Sequence, residues 1–270
     1  MAAAAPVITE QLTAARVFDL EQPRSVGMPI HPSHVPPGYQ YLLHRHHEAG
    51  GPDARTSAAG VLVASEHSGT HIDGLAHQAE HLTLYGARQV DSRLQTAFGF
   101  TELGAETMAP IVGRGVLIDL VRHQMKQVAP ARWIPLQEVQ DATTAQAVKI
   151  RRGDVVLVRT GFGRLWNKPP EYLRAPGFSG EVSQWLADAG VRAVGADNMA
   201  WDWLEGVSPV TNTTLPGHVI LLARAGIHIL ENLFLEELGE TGLNEFGFVC
   251  LPLKLQGATG SPVRPIALIG

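Results

Sequence analysis

One stretch constrains this chain more than any other: residues 67–77 bring three imidazoles and a carboxylate together within eleven positions. Neutral imidazole nitrogens and carboxylate oxygens are ligands that suit divalent transition metals such as zinc and manganese. His67, His71 and Asp73 are separated by four and by two residues, so an extended backbone places the three side chains on one face. The stretch therefore predicts a site for a divalent metal, Mn2+ or Zn2+, with one ion or two.

The remaining imidazole of the stretch, His77, lies four residues beyond Asp73. This separation suits a reacting group or an outer partner better than an obligatory ligand. Because imidazole titrates near neutral pH, we expect His77 to be catalytic and to carry a proton. The alternative for the whole stretch is a histidine-rich surface loop or a hydrogen-bonded polar core, neither of which needs a metal.

The arrangement H-x-G-T-H-x-D, followed by a further His, resembles the signature of the metal-dependent cyclase/hydrolase family, which includes the bacterial kynurenine formamidases and the isatin hydrolases. The matching positions are His67, Gly69, Thr70, His71, Asp73 and His77. The chain departs from the family pattern at Leu75, where members commonly have Pro. Residues 252–268 also resemble the closing P-L-K…G…G-S-P-V-R-x-x-A-L pattern of the family. The resemblance therefore extends in blocks from Val17 to Leu268.

The resemblance implies two further metal ligands in the second half of the chain. The family has a ligand His followed by a ligand Glu in an I-E-N-L context, and His218 and Glu231 fit that pattern. A carboxylate such as Glu231 at the end of an apolar strand is costly unless a cation or a donor pairs with it, so a buried Arg partner is the alternative. His228 lies inside the same strand and is a weaker candidate than His218. The predicted metal ligands are therefore His67, His71, Asp73, His218 and Glu231.

Several aromatic residues leave alternatives open for the substrate pocket. In the family, an early proline-rich loop helps to cover the substrate, and formamidases carry a Trp in a P-x-W-P segment where this chain has His31. Residues that could replace the missing aromatic ring are Tyr39, Tyr41 and Phe18. Trp201 and Trp203 could line a pocket for a flat substrate or pack in the core.

Other polar residues have weaker assignments. Asp197 and Asp202 fit the acids of a family G-x-D-x-x-S-x-D pattern, in which Ala200 replaces the Ser. A second histidine cluster lacks a carboxylate at ligand spacing, so an exposed strand end or loop is expected, with the mouth of the site as the alternative; its members are His44, His46 and His47. His81 is expected to be exposed, and an outer hydrogen bond to the site is its alternative.

Apolar runs and breaker residues predict the secondary structure. Strands are predicted at residues 17–20, 60–65, 115–120, 155–158, 191–196 and 226–233. Helices are predicted at residues 9–16, 101–109, 135–147, 181–189 and 219–223. The pattern favours a single α/β domain with a mixed sheet and flanking helices, and the resemblance implies a swivelling β/β/α fold. We expect residues 1–16 to form a tail and short helix, and residues 17–270 to form the cyclase/hydrolase domain.

The composition argues against several classes of protein. Of 270 residues, 45% are hydrophobic and 17% are charged, which allows a sizeable core. A net charge of −5 without a Lys/Arg cluster argues against nucleic-acid binding, and no apolar run is long enough to span a membrane. The start of the chain lacks the basic region of a signal peptide. The single Cys250 allows no intrachain disulfide and favours a cytoplasmic location, as a buried hydrophobe rather than a nucleophile.

These residues together predict a metal-dependent amidohydrolase that acts on a non-peptide C–N bond. A divalent metal lowers the pKa of bound water from about 15.7 towards about 7, and the activated water attacks an amide carbonyl while His77 protonates the leaving nitrogen. The chain has no G-x-S-x-G elbow, which disfavours a covalent acyl intermediate. The resemblance implies a small aromatic substrate, either a lactam such as isatin or an aryl formamide, and the missing P-x-W-P ring favours the lactam. It also implies a homo-oligomer, a dimer or tetramer.

Two other classes of function use the same residues. A cyclase or lyase acting on a small hydroxy or keto acid also needs a metal and His77. A non-catalytic protein could use the metal only to bind a small molecule through a carboxylate or diketone. Turnover separates the binding protein from the enzymes, and product analysis separates the two enzymes.

Overall fold

The computed structural model describes residues 6–49, 51, 54–208 and 212–270. The α-helices are α1 (Pro6–Ala14), α2 (Leu120–Gln124), α3 (Leu136–Ala145), α4 (Pro169–Tyr172), α5 (Gly180–Asp188), α6 (Pro216–His218) and α7 (Glu236–Glu240). Short 3-10 helices cover Pro32–His34, Ala105–Thr107 and Gly163–Leu165, and a π-helix, Val219–Ala225, continues α6.

The strands are β1 (Arg16–Asp19), β2 (Tyr39–Arg45), β3 (Ala59–Ala64), β4 (His71–Asp73), β5 (Thr83–Leu84), β6 (Arg88–Gln89), β7 (Gln95–Thr96), β8 (Gly99–Phe100), β9 (Ile111–Asp119), β10 (Trp133–Ile134), β11 (Val155–Arg159), β12 (Gly177–Phe178), β13 (Ala193–Ala196), β14 (His228–Glu231), β15 (Glu245–Cys250), β16 (Gly260–Pro262) and β17 (Ile266–Ile269). Nine of them form one sheet in the order β1-β17-β15-β9-β11-β13-β14-β4-β16. The central strands β9, β11, β13 and β14 are parallel, and the strands on both sides are antiparallel. This confirms the predicted α/β class with a mixed sheet.

The two faces of the sheet pack against separate hydrophobic cores. Side chains alternate along β11, so Val156 and Val158 enter one core while Leu157 enters the other. The first core lies against α3, α5 and the π-helix. The second contains Phe18 from β1 and Leu238 from α7. Because both faces of β11 are covered, all five of its residues are buried, which explains the uninterrupted apolar run at residues 155–158. The fifth residue, Arg159, is buried with its charge paired to Asp119 and Glu236.

The structure moves several predicted boundaries and adds strands that the sequence did not predict. The first helix, α1, ends at Ala14 instead of residue 16 because Arg16 already begins β1 and pairs with Ile269. Residues 101–109 contain only one 3-10 turn, and the predicted helix at 219–223 is π-helical. Strand β15 was not predicted, although it joins β9 to β17 in the sheet. Among the described helices, none has the length and apolar content needed to cross a membrane.

Strands β2 and β3 pair with each other and lie outside the main sheet, and we call this hairpin the arm. Strand β2 was not among the strands predicted from the sequence, whereas β3 overlaps the strand predicted at residues 60–65. The arm exposes large apolar side chains from both strands: Tyr41, Leu42, Leu43, Val61, Leu62 and Val63. These six side chains therefore pack into none of the cores formed by the described part of this chain.

Candidate metal centre and active site

The site forms where β4 and β14 lie side by side. Side chains alternate along β4, so Ile72 enters the hydrophobic core while His71 and Asp73 share the other face. Strand β14 ends at Glu231, which pairs with His71 across the two strands. Directly paired residues point to the same face, and the Nε2 atom of His71 lies 3.4 Å from Oε2 of Glu231. The sheet thus joins the two halves of the predicted site.

The turn before β4 fixes the ring of His71. Its Nδ1 donates to the carbonyl oxygen of Gly69 at 2.8 Å, which leaves the lone pair on Nε2 facing the site. The Nδ2 atom of Asn232 donates to the same carbonyl at 3.0 Å, and Thr70 donates its hydroxyl to the backbone oxygen of Asn232 at 2.6 Å. Gly69 has a φ of +66°, and a Cβ there would lie 2.7 Å from a guanidinium nitrogen of Arg24. Glycine is therefore favoured at this turn.

His218 reaches the same place from the short helix α6. Its Nε2 lies 3.3 Å from Oε1 of Glu231 and 3.6 Å from Oδ2 of Asp73. The opposite ring nitrogen, Nδ1, donates to Asp202 at 2.7 Å. Asp202 also accepts the backbone N–H groups of Gly217 at 2.7 Å and His218 at 3.0 Å. The carboxylate therefore holds both the helix start and the ring, with Nε2 directed into the site.

Asp73 lies at the centre of the cluster and is completely buried. Its Oδ1 is 2.8 Å from Nδ1 of His67 and 3.5 Å from Nε2 of His71. Its Oδ2 has no hydrogen-bond partner within the described ranges, which is costly for a buried carboxylate. Nitrogen and oxygen ligands lie about 2.0–2.2 Å from such an ion, and neighbouring ligands are then about 3.0–3.5 Å apart. The distances in the cluster match, so these residues fit a divalent ion.

Two groups of possible ligand atoms share Asp73, and within each group all atoms lie within 4.8 Å of one another. One group adds His71 and Glu231, and the other adds His67 and His77. His218 belongs to neither group, but its Nε2 lies 3.3 Å from Glu231 and 3.6 Å from Asp73, so all five predicted ligands and His77 lie around Asp73. The alternative partner for Glu231, a buried Arg, is not found, because the described contacts of its carboxylate are with His71, with His218 and with the backbone N–H of Trp201.

The charges of the cluster favour added positive charge. Burial acts to raise the pKa of Asp73, but the imidazoles of His77, His67 and His71 outweigh it and hold that pKa well below its usual range. Burial acts to lower the pKa of His218, but Asp202 and Glu231 raise it well above its usual value. Without a metal, protons on imidazoles balance the buried carboxylates, and a divalent cation provides the same compensation.

A cavity opens over the cluster. Its lining includes imidazoles of the cluster, the imidazoles of His31 and His34, and a group of apolar side chains. The apolar group is Met199, Ala200, Leu204 and Leu215. His77 lines this cavity, with its ring centroid 3.9 Å from that of His67. Burial lowers the pKa of His77 to about 3, so its ring is neutral at pH 7. The cavity therefore places an unprotonated imidazole beside the candidate metal ligands.

The two candidate tryptophans do not line this cavity. Trp201 is fully buried, stacks on Phe178 with ring centroids 4.2 Å apart, and donates its indole N–H to Ser183. Trp203 packs edge-on against Trp133, with centroids 5.7 Å apart. The prediction of core packing is thus the correct one for Trp201, and Trp203 packs against another tryptophan outside the cavity.

The remaining candidates lie at varied distances from the cluster. His31 lines the cavity in the position of the missing aromatic residue, whereas Phe18 lies in the core and Tyr41 on the arm. Tyr39 packs in a separate cluster around Trp166 and Tyr172. Four histidines are exposed, as predicted: His44, His46, His47 and His81. His228 donates from Nδ1 to the backbone oxygen of Asp73 in β4 at 2.8 Å. It belongs to neither group of possible metal ligands.

Of the two acids predicted by the family pattern, only Asp202 contacts the cluster. Asp197 instead accepts hydrogen bonds from the backbone N–H groups of Thr160 and Gly161, at 2.7 and 2.8 Å, and supports the turn after β11. Ala200, in the position of the family Ser, lines the cavity. The sequence interpretation missed His34, whose ring stacks on that of His67 at 5.0 Å between centroids. The only sequence signal for it is its place in the loop that carries His31.

Comparison with known proteins gives consistent matches along nearly the whole chain. A family model described as "putative cyclase" matches residues 18–203. The kynurenine formamidase of Paracidovorax citrulli is 26% identical over 256 residues, which cover 94% of this chain and 97% of that protein. A solved structure of a novel cyclase superimposes with a TM-score of 0.83 and 26% identity, covering 96% of this chain and 88% of the other. Isatin hydrolase A from Ralstonia solanacearum gives a TM-score of 0.75 at 23% identity, with 100% of both chains covered.

Proposed function

Because the chain belongs to this cyclase family, we propose that it is a metal-dependent hydrolase that cleaves the C–N bond of a small aromatic amide or lactam. The observation that carries the proposal is the buried cluster around Asp73, in which one carboxylate oxygen has no partner among the described residues and two imidazoles present Nε2 lone pairs. The similarity to a protein named kynurenine formamidase supports amide hydrolysis.

We assign one divalent ion, manganese or zinc, to this cluster. Its ligands are His67, His71, Asp73, His218 and Glu231. A second ion would need His77, because the second donor group cannot be completed without that ring. We assign His77 to proton transfer instead, and metal analysis of the purified protein should therefore give one ion per chain.

A divalent ion bound at the cluster supplies an activated water and polarises the carbonyl of the substrate. The side chains of the protein orient the reaction and move the proton. His77 faces the cavity as a neutral ring, so it can accept a proton and pass it to the leaving nitrogen. Asp202 keeps Nε2 of His218 directed at the cluster. The apolar side chains Met199, Leu204 and Leu215 provide a surface for the ring of the substrate and exclude water from it.

The lining of the cavity favours a lactam over an aryl formamide. The formamidase pattern places an aromatic residue at position 31, and this chain presents an imidazole there. The backbone N–H of Ser33 donates to Nδ1 of His31, so the ring proton is on Nε2 and the ring presents a polar group at the cavity. A fused lactam with a second carbonyl group, as in isatin, matches this polar cover better than a flexible formamide.

The function is tested by assaying the metal-loaded protein with isatin and with N-formylkynurenine. We expect opening of isatin to a keto acid, and loss of most activity in His77→Ala with the metal still bound. No turnover of either compound by protein that holds its metal would contradict both substrate assignments. Formation of a dehydrated or cyclised product would assign the protein to the lyase or cyclase class instead.

We also propose that two copies of the chain associate through the arm. Its exposed apolar side chains form a surface that a monomer in water rarely maintains. Leu42 and Leu62 are 65% and 57% exposed, so Leu42→Glu with Leu62→Glu should convert the assembly to monomers in sedimentation experiments. The matched control is Met125→Glu, which changes an exposed apolar residue away from the arm. A monomeric wild-type protein would contradict the proposal.

The domain division and location follow from the same features. We propose that residues 17–270 form the catalytic domain and residues 1–16 a tail with a short helix; this boundary lies one residue inside β1, whose first residue is Arg16. We place the protein in the cytoplasm, where the free thiol of Cys250 stays reduced. Fractionation of cells that express the full chain tests this location.

A further inference from the structure

The C-terminal segment around Thr259 and Gly260 packs directly against His67. Gly260 pairs with Asp73 in the sheet, and a Cβ at Gly260 would lie 2.6 Å from Cε1 of His67. The backbone oxygen of Thr259 accepts a hydrogen bond of 2.8 Å from the N–H of Gly74. The segment is therefore fixed against the metal-binding stretch, with a glycine where the imidazole leaves no room for a side chain.

The hydroxyl of Thr259 lies between His67 and Glu66. Its Oγ1 is 2.8 Å from Nε2 of His67 and is also hydrogen-bonded to Oε1 of Glu66. Glu66 accepts the backbone N–H of Thr259 as well, at 3.0 Å. An ionised carboxylate can only accept, and a hydroxyl has a single proton to donate. That proton goes to Glu66, so the hydroxyl oxygen accepts from His67, and the ring proton of His67 is on Nε2.

With its proton on Nε2, His67 can offer only Nδ1 to a cation. Nδ1 lies 2.8 Å from Oδ1 of Asp73, so a cation held by Asp73 is within its reach. His71 and His218 have the opposite arrangement, because their Nδ1 atoms are already hydrogen-bonded and their Nε2 atoms face the site. We propose that Thr259 and Glu66 are positioning residues, which orient His67 so that it binds the metal through Nδ1. This inference rests on the metal centre proposed above.

The central test measures the affinity of the protein for Zn2+ by competition with a chromophoric chelator. Thr259→Val removes the hydroxyl and keeps the shape of the side chain. Removing a partner that orients a metal-binding histidine weakens metal binding by about 10- to 100-fold, and we expect a rise of that size in the Kd. Thr259→Ser keeps the hydroxyl and should restore the affinity. Glu66→Gln should weaken binding in the same direction, because an amide no longer dictates where the hydroxyl proton goes.

A matched control separates this role from a general effect of losing a buried hydroxyl. Thr143 is a buried residue of α3 whose hydroxyl donates to the backbone oxygen of Val139 at 2.7 Å, away from the cluster. Thr143→Val should therefore keep the wild-type affinity for Zn2+. Circular dichroism of the metal-free proteins checks that every variant is folded, and Glu66→Gln serves as the test if Thr259→Val does not fold.

A spectroscopic measurement identifies the binding nitrogen directly. In protein labelled with 15N-histidine and loaded with 113Cd2+, we expect His67 to couple to the metal through Nδ1, and His71 and His218 through Nε2. Coupling of His67 through Nε2, or an unchanged Kd in folded Thr259→Val, would overturn the inference and leave the metal centre in place. Failure of the wild-type protein to bind Zn2+ or Mn2+ would overturn the proposed function itself, and this inference with it.

Discussion

Replacing Asp202 by Asn should move the ring proton of His218, a predicted metal ligand, without changing the size of any side chain. Asp202 is buried and accepts three hydrogen bonds, two of them from the backbone N–H and the Nδ1 of His218. An Asn can still accept from Gly217, but its amide N–H2 group then faces the donors of His218. The ring avoids this conflict when its proton moves from Nδ1 to Nε2, the atom that lies 3.3 Å from Glu231. A protonated Nε2 cannot bind a metal.

Two effects of Asp202→Asn can be estimated separately. Loss of the carboxylate that orients the ring should weaken metal binding by about 10- to 100-fold, which corresponds to about 1.4–2.7 kcal/mol. The backbone N–H of His218 also loses its buried acceptor, and this should lower the free energy of unfolding of the metal-free protein by about 1–3 kcal/mol. Competition with a chelator measures the first quantity, and urea unfolding measures the second.

Asp154→Asn provides the matched control. Asp154 is also buried and accepts the backbone N–H of Arg151 and a guanidinium N–H of Arg114. It precedes the start of β11, whereas Glu231 ends the parallel strand β14, so the two lie at opposite ends of the parallel strands. This variant should lose stability and keep its affinity for Zn2+. A folded Asp202→Asn protein with wild-type affinity would refute the reasoning, because Asp202 would then not determine which nitrogen of His218 faces the site.

Three further predictions concern the metal, the thiol and a buried acid. Metal present at 100 times its Kd should stabilise the fold by about 2.7 kcal/mol, so EDTA should lower the Tm, and an unchanged Tm would contradict a bound ion. Burial raises the pKa of Cys250 to about 12, so a thiol reagent should label it only in denaturant, and rapid labelling of the native protein would contradict its burial. Burial raises the pKa of Asp197 from 3.8 to about 6, although the backbone N–H groups of Thr160 and Gly161 oppose this shift. The folded state then binds this proton more tightly than the unfolded state, so stability should fall by roughly 2–3 kcal/mol as pH rises from about 4 to about 6, and remain lowered above that. Urea unfolding of Asp197→Asn should lack this fall, and an identical pH dependence in both proteins would refute the assignment.

Local periodicity predicts much of this fold because the central strands are buried on both faces. Residues 155–158 of β11 and all of β13 are apolar, so their sequence differs clearly from that of the loops. Strand β15 was missed because its burial alternates and glycine occupies an exposed position between Phe246 and Phe248. Strand β2 of the arm was missed although β3 was predicted. Leu42 and Leu43 of β2 are exposed and belong to none of the cores in the described part of the chain, and a local pattern cannot indicate what covers them.

In the candidate site, too, the features set by residues close in sequence could be predicted, and those set by distant residues could not. His67, His71 and Asp73 could be predicted together because they are close in sequence and strand periodicity brings the last two to one face. The groups that set the orientation of the rings could not, because Thr259 meets His67 from 192 positions away, through the pairing of β16 with β4. Each hydrogen bond of this kind decides which ring nitrogen keeps its proton and which keeps its lone pair. The sequence therefore predicts the candidate ligands, whereas the nitrogen that each histidine presents depends on the tertiary structure.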